Sequence, residues 1–187
     1  MSPSPSGGSP PRRPDFHEYF MGFALAARRR ANCKGYKVGA VLVLEKRVVS
    51  TGYNGVPEGM TNCLDGGCDR CNHPEKYTSG VGYDICICVH AEENAILSAA
   101  RLGIRTAGST LYTTVRPCFG CMKALHQAGV RGVYYLREWR HPDEGLLGQY
   151  RALENRFPDG IKRLEMEDPD DPAWIYPTKP APPPSRD

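Results

Sequence analysis

Apolar residues recur at helical spacing from Phe16 to Ala31. Phe16, Tyr19, Phe20, Phe23 and Ala27 form a stripe, and Arg28 to Arg30 close the C-terminal end. Beyond Tyr36 the period changes. Tyr36 to Leu44 and Arg47 to Tyr53 read as strands joined by a tight Glu45-Lys46 turn. From Asn54 to about Tyr83 the chain is polar, Gly-rich and without a period. His90 to Arg101 is Ala-rich, with Ala95, Ile96 and Ala99 at helical spacing. A strand follows at Ser109 to Val115. A helix opening at Pro117 runs to Ala128, and a strand covers Gly132 to Tyr135. Glu144 to Arg156 reads as a further helix, and Ile161 to Met166 as a last short strand. The order α-β-β-α-β-α-β-α-β predicts an α/β fold: a mixed sheet with helices on its faces.

The length of 187 residues suits one domain, and 40% hydrophobic residues can fill its core. We place that domain at residues 15–167. Residues 1–14 are Ser/Pro/Gly-rich, have no apolar segment, and read as a disordered arm. Residues 168–187 are expected to form a largely disordered tail, with Asp168 to Asp171 as a solvated acidic run. No apolar run approaches the roughly 20 residues that span a bilayer. A net charge of +3 is too small and too scattered to argue for nucleic acid. Eight cysteines without a secretory signal fit a reducing, cytoplasmic setting, where clustered thiols more often hold metal than disulfides.

The chemistry concentrates in two motifs. His90-Ala91-Glu92 is followed by Pro117-Cys118-Phe119-Gly120-Cys121. Alone, Cys-x-x-Cys could be a redox pair or half of a structural zinc ribbon. Together the motifs supply one imidazole and two thiolates, a ligand set that leaves zinc an open fourth position for water. Bound zinc lowers the pKa of that water to roughly 7. Glu92 stands two residues past a ligand, so its expected task is moving protons. This H-x-E and P-C-x-x-C combination is the known signature of zinc nucleobase deaminases.

Further segments sharpen that match. Tyr53-Asn54-Gly55-Val56-Pro57, Asn62-Cys63, Gly67-Cys68-Asp69-Arg70-Cys71-Asn72, Cys86-Ile87-Cys88-Val89-His90 and Gln127-Ala128-Gly129-Val130 resemble, in order and spacing, the deoxycytidylate (dCMP) deaminases. The resemblance spans about Phe16 to Tyr135. It implies a three-layer cytidine-deaminase-like sandwich: a five-stranded mixed sheet with helices on both faces. It further implies hydrolysis of dCMP to dUMP and ammonia for dTTP supply, a homo-oligomer that is commonly hexameric, and regulation by dCTP and dTTP. By resemblance, Asn54, Ala91 and the backbone at Arg116 would contact the substrate, and Arg101 would help hold its phosphate together with Lys37. Asn54 also suits a plain Asn-Gly turn, and Arg101 a helix end. Departures at Lys34-Gly35, Arg116 and Trp139 leave CMP or a modified cytosine nucleotide open as substrate.

The resemblance also implies a second, structural zinc in the Cys-rich insert at about residues 62–88. Cys33, Cys63 and Cys88 would be ligands, with Cys71 as the fourth and Cys68, Cys86 and His73 competing for that place. An insert without a core of its own needs such a staple. Two other functions compete with nucleotide deamination. A deaminase of another base or of nucleic acid would call for a basic, aromatic-lined face. A non-catalytic zinc protein would leave Glu92 without a task.

Overall fold

The computed structural model describes residues 12–77, 85–141, 143–170 and 172–175 of the chain. Helix α1 (Phe16–Arg28) leads into β1 (Gly39–Leu44) and β2 (Arg47–Tyr53). The insert holds one short helix, α2 (Asp69–Asn72). Then come α3 (Ala91–Arg101), β3 (Thr110–Val115), α4 (Phe119–Gln127), β4 (Gly132–Arg137), α5 (Leu147–Glu154), β5 (Gly160–Arg163) and a final turn of helix, α6 (Pro172–Ile175). The five strands form one sheet in the order β2-β1-β3-β4-β5. β1 pairs antiparallel with β2 and β3, whereas β3-β4 and β4-β5 are parallel. The mixed α/β sandwich expected from the pattern is therefore present.

Strand β1 shows how the layers form. Alternate residues point to opposite faces. Ala40 and Leu42 pack with Ala95 and Ala99 of α3, Met122 and Leu125 of α4, and Tyr150 of α5. Val41 and Val43 pack with Phe20, Met21, Ala24 and Leu25 of α1. Burial on both faces explains why this strand is apolar throughout. Its hairpin partner is reached through Glu45 and Lys46, which both take positive φ, 51° and 60°. A two-residue turn of this hand matches the twist of the flanking strands.

Two expectations are corrected here. The first concerns the face of α1. Of its aromatic stripe only Phe20 enters the core: Phe16, Tyr19 and Phe23 are exposed, and Phe20 is buried with Met21, Ala24, Leu25 and Arg28. The cause is close approach. A Cβ on Gly39 would lie 2.1 Å from the Ala24 carbonyl oxygen, so the helix sits against the strand backbone and three of its four stripe rings turn outward. Asp15 fixes the start of the helix through a capping box, accepting from the Glu18 amide at 2.9 Å while Glu18 accepts from the Asp15 amide at 2.8 Å.

The second correction concerns the acidic run, whose Asp168 and Asp170 are not solvated; Asp171 lies outside the described residues. The Arg28 guanidinium, fully buried, donates to Asp168 at 2.8 and 2.5 Å and to Asp170 at 2.7 Å. Arg29 donates to Asp170, and Arg137 to Asp168 at 3.0 Å. A charge this deep needs paired acids, and the basic end of α1 collects them from the far end of the chain. Beyond them Ile175 of α6 is buried, and its carbonyl accepts from the Lys37 amide at 3.0 Å. The domain thus extends past residue 167. The remaining parts of the expected arm and tail, residues 1–11 and 176–187, lie outside the described residues.

Candidate active site and cysteine cluster

His90 is the N-cap of α3 and Cys118 the N-cap of α4; Cys121 lies one turn into α4. Both helix starts point the same way across the sheet end. The N-terminal end of a helix favours negative charge, which suits thiolates. Nδ1 of His90 lies 3.4 Å from Sγ of Cys118 and 3.4 Å from Sγ of Cys121. A tetrahedral zinc with Zn–N near 2.0 Å and Zn–S near 2.3 Å sets that edge at about 3.6 Å. The three donors lie within 4.8 Å of one another and fit the metal.

The electrostatics fit as well. A hydrogen bond from the Cys121 thiol, with the charge of His90, outweighs burial and holds the Cys118 thiol down at about 4. The partnership with Cys118 raises His90 to about 9 against the effect of burial.

Glu92 occupies the first turn of α3 and is buried, with Oε2 3.7 Å from Sγ of Cys121. Burial pushes its carboxyl up to about 7, against the pull of His90. A carboxyl poised near neutrality can both take and give a proton.

Close packing sets the position of α3. A Cβ on Gly52 of β2 would stand 2.1 Å from the Ala91 carbonyl oxygen and 2.5 Å from the Ala95 nitrogen. Ser50 Oγ donates to the Ala95 carbonyl at 2.7 Å. The first turn of α3, with Ala91 and Glu92, therefore rests directly on β2.

A cleft of about 770 Å³ opens over the trio. His90 and Cys118 lie in its floor, Trp139, His141 and Tyr150 form an aromatic wall, and Lys123 contributes a cation. Tyr150 accepts from the Phe119 amide at 3.0 Å, which joins that wall to the start of α4. In the sequence His141 has no partner spacing, which leaves it a surface or core histidine, and Trp139 is marked only as a departure. Neither has a motif of its own, and the loop after β4 brings both to the cleft.

The remaining candidates are placed as follows. Asn54 is buried; its Oδ1 accepts from the Val38 amide at 2.8 Å and its Nδ2 donates to the Tyr36 carbonyl at 2.6 Å, so it clamps the approach to β1. Arg116 pairs with Glu138 and Glu154. Arg101 is exposed at the end of α3, 2.9 Å from Glu58, and lies outside the residues lining the cleft. Lys37 donates to the Cys33 carbonyl at 2.7 Å, beside the cysteine cluster. His73 faces Asp69 and Glu75 and joins no cysteine group among the described residues.

The insert gathers the other six cysteines, all free. Cys33, Cys63, Cys68 and Cys88 are its core, flanked by Cys71, Cys86, Val56 and Ile87. Two overlapping sets converge: Cys33, Cys63, Cys71 and Cys88, and Cys68, Cys71, Cys86 and Cys88. Cys68 and Cys86 therefore do not displace Cys71; they form a set with it.

The sequence over residues 14–137 matches the model of the cytidine and deoxycytidylate deaminase zinc-binding region, and the chain belongs to that family. Within it, several of the similar proteins are deoxycytidylate deaminases. The enzyme of Mycobacterium phage D29 is 40% identical over 134 residues, covering 67% of this chain and 98% of the phage protein. That of Saccharomyces cerevisiae is 40% identical over 147 residues, covering 79% of this chain. The chain spans less than half of the two yeast relatives, 44% of the Saccharomyces protein and 37% of the Schizosaccharomyces pombe one. Among solved structures, dCMP deaminase from cyanophage S-TIM5 in complex with dCMP and dUMP superposes with a TM-score of 0.61 at 29% identity, over 82% of this chain and 99% of the phage chain.

Proposed function

We propose that this chain is a zinc-dependent deaminase that hydrolyses dCMP to dUMP and ammonia. The observation that carries the proposal is the buried Glu92 beside the converging His90, Cys118 and Cys121. A structural zinc site has no use for a carboxyl poised near neutral pH next to its ligands. The dCMP and dUMP bound in the cyanophage structure support the choice of substrate.

His90, Cys118 and Cys121 would hold the zinc, which when bound supplies an acidified water at neutral pH. Glu92 accepts a proton as water adds to C4 of cytosine, and delivers one to ring N3. It then takes the remaining proton from the C4 hydroxyl and passes it to the departing amine, so that the C4–N bond breaks, ammonia leaves and a C4 carbonyl remains. The start of α3 presents the Ala91 amide to the base, because the first N–H groups of a helix have no intrahelical acceptor. The backbone at Arg116 borders the other side, held by the Arg116 amide donating to the Arg137 carbonyl at 2.9 Å. Trp139, His141 and Tyr150 exclude water and give the ring a stacking wall. Lys123 and His141 are the basic groups in the cleft that can meet a 5′-phosphate.

A second, structural zinc in the cysteine cluster belongs to the same proposal, with Cys33, Cys63, Cys71 and Cys88 as ligands. The exposed aromatic face of α1 supports self-association. No helix among the described residues is long and apolar enough to cross a membrane. The free thiols suit the reducing cytoplasm.

The test is ammonia release from dCMP, CMP and deoxycytidine, for wild type and Glu92→Gln. We expect dCMP to have the highest kcat/KM. Glu92→Gln should retain zinc while kcat falls roughly 10²–10⁴-fold. An active Glu92→Gln protein, or a preference for the nucleoside, would overturn the proposal.

A further inference from the structure

The active site leaves six cysteines unexplained, and a single zinc explains only four. The two sets of four each lie with their Sγ atoms within 4.8 Å, and they share Cys71 and Cys88. We propose that the insert carries a binuclear zinc centre. Cys33 and Cys63 are terminal ligands of one ion, Cys68 and Cys86 of the other, and the thiolates of Cys71 and Cys88 bridge the two. The proposal rests on the structural-zinc reading and deepens it.

Three observations support it. First, the spacing is that of two tetrahedra sharing an edge. With Zn–S near 2.3 Å, ligand sulfurs stand about 3.8 Å apart. Sγ atoms are 3.7 Å apart for Cys33 and Cys71, 3.9 Å for Cys71 and Cys86, and 3.8 Å for Cys68 and Cys86. A disulfide needs about 2.05 Å.

Second, backbone donors are aimed at the sulfurs. The Lys34 amide donates to Sγ of Cys63 and the Gly35 amide to Sγ of Cys33, both at 3.3 Å. Donors of this kind stabilise thiolate and fix the orientation of metal ligands.

Third, among the described residues the insert has no other core. Apart from Val56 and Ile87, the cluster is made of cysteines. Without a bound ion, α2 and the turn at Cys63–Asp65 would rest on little more than six small thiols, a thin core for a segment of this length. Six thiolates and two zinc ions carry a net charge of −2, the same as one zinc with four thiolates, so the second ion adds no charge burden.

An iron–sulfur cluster fits less well. It uses four cysteines and places inorganic sulfide between the irons; here cysteine sulfurs fill those positions. The centre also reaches the active site through covalent structure. Cys86 and Cys88 belong to the strap that runs directly into His90, and both line the cleft. Val89, between Cys88 and His90, pairs with Gly55, its amide donating to the Gly55 carbonyl at 2.9 Å.

Metal content of the full chain, purified without oxygen in the presence of zinc, tests the proposal. Native mass spectrometry and elemental analysis should find three zinc ions per chain, and two in His90→Ala. After exchange with cadmium-113, the cluster should give two resonances split by mutual coupling through the bridging sulfurs. Cys68→Ser with Cys86→Ser should lower the total to two ions and abolish the splitting. Two ions in the wild type, with one uncoupled cluster resonance, would overturn the binuclear centre and leave the structural zinc standing. One ion would overturn both. Stoichiometric iron would overturn the choice of metal.

Discussion

Asp168→Asn is the sharpest test of the packing. In the wild type, burial alone would push the Asp168 carboxyl up, but donors from Arg28, the Asp170 amide and Arg137 outweigh it and hold the carboxyl at about 2, against an ordinary 3.8. At 1.36 kcal/mol per unit, that gap is worth about 2 kcal/mol of stability. The sign follows from the lowered folded pKa. The contribution is complete above pH 4, where the unfolded group is ionised, and is lost as pH falls from about 4 through 2. Removing the charge also leaves the buried Arg28 with Asp170 alone, and breaking a buried pair costs about 3–5 kcal/mol. Because Asp170 remains at 2.7 Å, we predict a loss near the lower end, about 3 kcal/mol at pH 7. Urea unfolding of wild type and variant at pH 7, 4 and 2.5 reads the difference directly. Comparing the two proteins cancels the acid sensitivity of the zinc ligands. A difference below about 0.5 kcal/mol at pH 7, within the range of an ordinary surface change, would refute the reasoning. So would a difference that stays constant down to pH 2.5.

Three further substitutions probe the position of Glu92 and the phosphate site. Gly52→Ala should displace the start of α3, because its Cβ would press on the Ala91 carbonyl; we expect kcat to fall about 10²-fold with zinc retained, the scale reached when reacting groups move by an ångström. An unchanged kcat with intact stability would show that Glu92 is positioned by something else. Lys123→Ala should lower kcat/KM for dCMP about 10-fold and leave deoxycytidine nearly unchanged, since a charge-assisted bond to phosphate contributes about 1.5–3 kcal/mol. Arg101→Ala, removing only an exposed pair with Glu58, should alter both substrates little and together; a selective loss for dCMP would move the phosphate site to Arg101.

Local signals made much of this molecule legible in its sequence. The β1–β2 hairpin follows from alternation, and His90, Glu92, Cys118 and Cys121 follow from motifs whose members lie within one helical turn of each other. What escaped depends on distant partners. Nothing near Arg28 announces Asp168, 140 positions away, so three consecutive arginines looked like an ordinary helix end. The orientation of α1 was misjudged because hydrophobicity favours the rings, whereas the space beside Gly39 admits only small side chains. In the insert, spacing yields the pairs Cys68–Cys71 and Cys86–Cys88. The sharing of Cys71 and Cys88 arises only when the loop after α1 delivers Cys33 and the turn delivers Cys63.

The long reach of the Arg28 clamp also has a meaning in time. A ribosome adds about 5–20 residues per second, so Arg28 is synthesised roughly 7–30 s before its counter-charges are made. During that interval the sheet can grow outward from β1, through β3 and β4 towards β5, while the guanidinium stays in water. The helix can thus rest on the young sheet early but can bury its charge only at the end. Docking of residues 168–170 is then a late step, which closes a domain whose candidate zinc ligands have already been synthesised.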